Sequence, residues 1–117
     1  MNIREVHYCR YYKRLSSLIF QNNSEYTGVM YCYRRKNKYS FETEHPEILD
    51  AFAELLESLK LPVPNIGTKS NLNGNGRCKR WYIKNEYTFT MKLSEEVHNK
   101  LETYFRISGL ITLEDEM

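Results

Sequence analysis

An α+β domain is predicted by three features of this 117-residue sequence. Two aromatic segments alternate like strands around Lys-Asn turns, apolar stripes recur at helical spacing, and Pro46 and Ser94 stand where two of those stripes begin. The predicted order is α-ββ-α-ββ-α, packed as one antiparallel sheet with helices on one face. A chain of this length is read as a single domain, residues 1–112, with a frayed acidic tail at 113–117.

Residues 4–20 read as an amphipathic helix. Tyr8, Tyr11, Tyr12, Leu15, Leu18 and Ile19 lie on one side and Arg10, Lys13, Arg14 and Ser17 on the other. Asn22, Asn23 and Ser24 would end it. Val29–Arg35 and Tyr39–Glu44 then form a hairpin. An odd-numbered loop gathers Val29, Tyr31, Tyr33, Tyr39 and Phe41 on the buried side, and a two-residue loop would instead place Arg34 with Tyr39 and Phe41. The odd loop buries more rings and is the expectation.

Pro46 opens a helix with Ile48, Leu49, Phe52, Leu55, Leu56 and Leu59 inward and Glu47, Asp50, Glu54 and Glu57 outward. The stretch 61–76 carries four Asn, three Gly and two Pro, and reads as a long loop or one hiding a short strand near Ile66. Arg77–Ile83 and Tyr87–Leu93 form a second hairpin, with Trp81, Ile83, Tyr87, Phe89 and Met91 inward. Ser94 caps a last helix whose buried stripe is Val97, Leu101, Tyr104 and Phe105, and Gly109 ends it. Lys36-Asn37-x-Tyr39-Ser40-Phe41 and Lys84-Asn85-x-Tyr87-Thr88-Phe89 repeat one pattern 48 residues apart, each followed by a helix.

Charge is segregated by block. The net charge of +2 divides into +6 over residues 1–40, −5 over 41–60, +5 over 61–92 and −4 over 93–117. Placed on the expected fold, the cations line the sheet face away from the helices. Arg34, Arg80, Tyr82, Thr90 and Lys92 would lie on that face, with Lys36, Lys79 and Lys84 near its tips. The first helix would add Arg10, Lys13 and Arg14, and the 65–77 loop Lys69 and Arg77. Lysine and arginine neutralise phosphate, and tyrosine and threonine supply stacking and hydrogen bonds, so this set points to nucleic acid.

The three cysteines, Cys9, Cys32 and Cys78, are scattered, which suits a reducing compartment. They and the three histidines lack zinc-type spacing, so neither a metal nor a cofactor is expected. Gly74-Asn75-Gly76-Arg77 lacks the Lys-Ser/Thr pair of a P-loop and reads as a turn. There is no apolar run of membrane length and no signal-peptide core, and a cytoplasmic protein, in the host cytoplasm if viral, is expected.

The run Leu15-Ser16-Ser17-Leu18-Ile19-Phe20-Gln21-Asn22-Asn23-Ser24, with the α-ββ-α-ββ-α order, resembles the LAGLIDADG homing-endonuclease family in degenerate form. Leu15, Leu18 and Ile19 match apolar positions of its motif. Ser17 stands where the family has a helix-packing glycine, and Asn22 where it has a metal-binding acid. The resemblance implies a sheet that saddles DNA, with binding retained and cutting lost, because an amide cannot replace a charged carboxylate at a metal.

The leading expectation is a non-catalytic nucleic-acid or nucleoprotein binder, monomeric or homodimeric. The alternative is a small phage or mobile-element accessory protein that inhibits a host protein complex, since Tyr and Arg also anchor protein interfaces. The second alternative is a divergent metal-dependent nuclease using Glu25.

Overall fold

Residues 2–22 form two strands, β1 (Asn2–Cys9) and β2 (Arg14–Asn22), and not the expected helix. Val6 and Tyr8 are buried on β1, Leu18 and Phe20 on β2, the two-residue period of a half-buried sheet built from branched and aromatic side chains. Bulges imitate the helical spacing. His7 pairs with Ser17 and Tyr8 with Leu15, so Ser16 is an extra residue on β2, and Leu15 and Leu18, three apart, are both buried. On β1, Arg4 is the extra residue between the partners of Phe20 and Ile19, which lets Ile3 and Val6 share the core in the same way. Lys13 turns the chain at φ 55°, a left-handed conformation foreign to a helix interior.

The computed structural model describes residues 1–22, 25–63, 82, 83 and 88–115; the side chains of 25–27, 82, 83 and 112–115 lie outside that description. Strands β3 (Glu25–Arg35) and β4 (Lys38–Thr43) form the next hairpin. Arg35 pairs with Lys38 across the two-residue loop Lys36-Asn37, and Lys36 takes φ 60° at its first position, as mirror-image hairpin turns require. The loop is therefore even, and the expected register of β3 is overturned. Met30 and Cys32 are buried with Tyr39 and Phe41, while Tyr31 and Tyr33 face away from the helices and are exposed.

Helix α1 (Pro46–Ser58) begins at its proline, as expected, and buries Ile48, Leu49, Phe52, Ala53 and Leu56. Strands β5 (Tyr82–Ile83) and β6 (Phe89–Ser94) follow, with Tyr82 opposite Thr90 and Ile83 opposite Phe89. Helix α2 (Glu95–Ile107) is capped by Ser94, whose hydroxyl accepts from Val97 N at 3.3 Å, and Gly109 closes it at φ 73°. The chain then returns as β7 (Ile111–Asp115), parallel to β1, so residues 113–115 extend the sheet where a frayed tail was expected.

The sheet order is β5-β6-β4-β3-β2-β1-β7, antiparallel except for the β1–β7 pair. Both helices cover one face. Phe41 meets Phe52 of α1 at 4.9 Å between ring centroids, and its neighbour Tyr39 stacks on His98 of α2 at 4.1 Å. The α+β class with helices on one face is thus observed, and the first element is corrected from helix to hairpin. Residues 15–22 are extended in β2, so they do not form the helix end on which the LAGLIDADG family carries its motif.

Candidate functional site

β1 and β3 both run antiparallel to β2, so the turns that follow them emerge at the same end of the sheet. From the pair Ser17↔Tyr31, Arg14 lies three residues beyond Ser17 and Arg34 three beyond Tyr31, so the turns stand at a similar height. Two strand spacings separate them, roughly 10 Å. Arg10, Tyr11, Tyr12, Lys13 and Arg14 make up one tip with its flank, and Tyr33 to Lys38 the other. Seven Lys or Arg and no acid occur in the segments 10–14 and 31–38.

The exposed tyrosines gather here too. Tyr11 (66% exposed), Tyr12 (55%), Tyr31 (49%) and Tyr33 (39%) all belong to these segments, whereas Tyr8 and Tyr39 are buried in the core. Guanidiniums lie over two of the exposed rings, Arg14 over Tyr12 at 5.3 Å and Arg35 over Tyr33 at 5.4 Å. Arg14 also donates from Nη1 to the carbonyls of Cys32 at 2.7 Å and Leu15 at 3.1 Å, which locks the first tip onto β3. Arg35 pairs with Glu42 at 3.6 Å, but Lys13, Lys36 and Lys38 form no ion pair among the described residues. Unneutralised lysines at turns are an unusually open source of positive potential.

One buried histidine braces this end from below. His98 stacks on Tyr39, its Nε2 accepts from the backbone N–H of Leu15 at 3.0 Å, and its Nδ1 donates to Asn99 Oδ1 at 2.9 Å. Those two bonds select the neutral ring with its proton on Nδ1. Burial lowers its pKa, and Arg14 lowers it further, against raising influences from Asn99, Glu102 and Glu95. The same burial pushes the Cys32 thiol up to about 12, which makes it a packing residue and not a nucleophile.

The sheet face turned away from the helices is less basic than expected. Lys92 is exposed there, opposite Ser40, which in turn pairs with Tyr33. Farther from the tips the face becomes acidic, with a groove of about 310 Å³ lined by Val29, Tyr31, Tyr33, Glu42, Glu44 and His45 among others. The cations of the two turns thus lie at one end of the sheet and do not spread over its whole open face; the same end receives Glu114 and Asp115 of β7, beside Tyr8 and Cys9, and Glu95, which follows Ser94 opposite Lys38.

The thirteen residues expected at the interface sort accordingly. Arg10, Lys13, Arg14, Arg34 and Lys36 come together at the tips, the first three on a β-turn and its flank and not on a helix. Arg34 stands on the helix-covered side, its guanidinium 5.7 Å from the Tyr39 ring centroid, which corrects its expected face. Thr90 is buried, with no hydrogen-bond partner for its hydroxyl among the described residues, so it contributes nothing to an exposed surface. Lys69, Arg77, Lys79, Arg80 and Lys84 lie outside the described residues, as do the side chain of Tyr82 and the 65–77 loop. Cys32 is buried on the helix side, opposite Phe41, and Cys78 lies outside the described residues. Tyr11, Tyr12, Tyr31, Tyr33, Arg35 and Lys38 were missed. A signal for them exists: Tyr12-Lys13-Arg14 and Tyr33-Arg34-Arg35 repeat Tyr-x-Arg, each flanked by a further lysine or tyrosine.

Among the described residues no cluster of His, Cys, Asp and Glu could hold a metal ion, and no helix is long and apolar enough to cross a membrane. No protein-family model, curated protein or solved structure matches the chain.

Proposed function

We propose that the protein is a non-catalytic nucleic-acid binder whose interface is the end of the sheet formed by the β1–β2 and β3–β4 turns. The observation that carries this reading is the shared location of seven cations, four exposed tyrosines and no acid in two segments far apart in sequence. Phosphate contacts supply affinity and aromatic rings supply contact with bases. The outward carboxylates of α1, on Glu47, Asp50, Glu54 and Glu57, lie on the helix layer, away from the open face on which Tyr33 stands. Exposed Lys92 extends the same surface from the β3–β4 tip along the sheet.

Fluorescence anisotropy over a salt series tests it. If four phosphates are neutralised, log K falls against log salt with a slope of about −3 on a single strand and steeper on a duplex. Binding that is absent at low salt, or indifferent to salt, overturns the reading. The same Tyr and Arg residues are also preferred anchors for protein partners, as in an accessory protein that occupies a host complex. Capture from extract with and without nuclease separates the two, since a partner that survives nuclease belongs to the protein-binding reading.

A further inference from the structure

We infer that the ligand is a single strand with unpaired bases, stacked on Tyr12 and Tyr33; this rests on the nucleic-acid reading above and narrows it. The geometry that points there is the doubled Tyr–Arg platform. At both tips a guanidinium covers one region of a tyrosine ring, 5.3 Å and 5.4 Å from the centroids, while the ring stays 55% and 39% exposed. Each tip therefore offers an exposed aromatic surface with a guanidinium beside it, that of Arg35 shared with Glu42 at 3.6 Å.

A cationic surface meant only for the phosphates of a duplex has no use for such rings, because a duplex hides its base faces in the stack. An exposed ring beside a guanidinium is an amphipathic surface on which a flat partner can stack. Unpaired bases are that partner. Each has a π-face, stacks on tyrosine regardless of sequence, and brings a phosphate within reach of the neighbouring Lys13, Lys36 or Lys38. The two platforms sit on neighbouring hairpins of one sheet, roughly 10 Å apart, so one strand can bridge them without either turn moving. Arg14 is tied to the β3 backbone through the Cys32 carbonyl at 2.7 Å, which holds the spacing between them.

The experiment compares three labelled probes of about 12 nucleotides by anisotropy at low salt: oligothymidylate, a blunt duplex, and an abasic strand that keeps every phosphate. The oligothymidylate is expected to bind about 10-fold or more tighter than the duplex and the abasic strand. Tyr33→Leu and Tyr12→Leu each weaken oligothymidylate binding about 5-fold or more and leave the weak abasic binding where it was. Tyr33→Phe, which keeps the ring, restores the lost affinity, and thermal melting establishes that all three variants fold. Equal binding of the three probes, or leucine variants that weaken all probes alike, overturns the single-strand inference while the phosphate-binding reading stands. No binding of any probe overturns that reading and takes the inference with it.

Discussion

Replacing His98 tests how the end of the sheet is held. In His98→Phe the ring stays large enough to stack on Tyr39, but the acceptor for Leu15 N–H and the donor to Asn99 are both lost. Leu15 is fully buried, so its amide has no water to turn to, and an orphaned buried donor costs about 1–3 kcal/mol. His98→Ala removes the ring as well, and the added cavity brings the loss to about 3–5 kcal/mol. At about 4 °C per kcal/mol, the alanine variant melts about 12–20 °C below the parent. The pH dependence has a definite sign. Burial holds the folded-state pKa below the usual value near 6.5, so the unfolded chain binds the proton more readily. The stability contributed by neutral His98 is complete above about pH 6.5 and is lost as pH falls through the folded value. Since phenylalanine does not titrate, the gap in stability between parent and His98→Phe narrows on acidification. Urea titrations at pH 7.5 and at successively lower pH measure that gap. A phenylalanine variant as stable as the parent, or a gap unchanged by acid, refutes the assignment of His98 as the neutral acceptor beneath Arg14.

Four other outcomes follow from particular contacts. Gly28→Ala places a Cβ 2.6 Å from His45 Cδ2 and 2.9 Å from Ile48 Cδ1, and should cost about 1–3 kcal/mol, seen as a lower urea midpoint at constant m. Thr90→Val removes a buried hydroxyl that has no hydrogen-bond partner among the described residues, and should raise stability by about 1 kcal/mol in the same assay. Cys32, buried and with its thiol pushed up to about 12, should resist alkylation in the native protein and react on unfolding, as mass spectrometry of the peptides would record. Lys13→Ala and Lys36→Ala each remove one tip charge and should flatten the salt slope on single strands by about 0.7 without changing the melting temperature.

The two helices were legible because each carries its own boundaries. Pro46 starts one, Ser94 caps the other and Gly109 stops it, and the apolar stripes between them have no competing period. Residues 2–22 were not, because bulges at Arg4 and Ser16 convert the alternation of a strand into the three-residue spacing of a helix. What distinguished strand from helix there was composition. Ile3, Val6, Tyr8, Ile19 and Phe20 favour extended backbone, and Tyr11, Tyr12 and Lys13 form the turn between two runs and not one turn of a helix. His98 escaped notice as a core residue for another reason: imidazole is acceptable inside only when both nitrogens find partners, and Leu15 lies 83 positions away.

The candidate site followed from the register of one hairpin. An odd loop in the β3–β4 hairpin maximises buried aromatic area on paper, since it would hide Tyr31 and Tyr33 along with Tyr39 and Phe41. The chain forms the even loop because Met30 and Cys32 fill the space under α1 and α2 without a phenolic oxygen to satisfy, and because Arg34 gains the face of Tyr39. That choice releases two tyrosines to the open side, beside Arg35 and Lys38. The first hairpin, formed where a helix was expected, adds Tyr11 and Tyr12 beside Lys13 and Arg14 at the same end. The two departures from expectation therefore act together: each trades a buried ring or a helix face for an exposed tyrosine next to a cation. A reading in which these rings complete a core has lost its support, since all four stand exposed in segments rich in lysine and arginine.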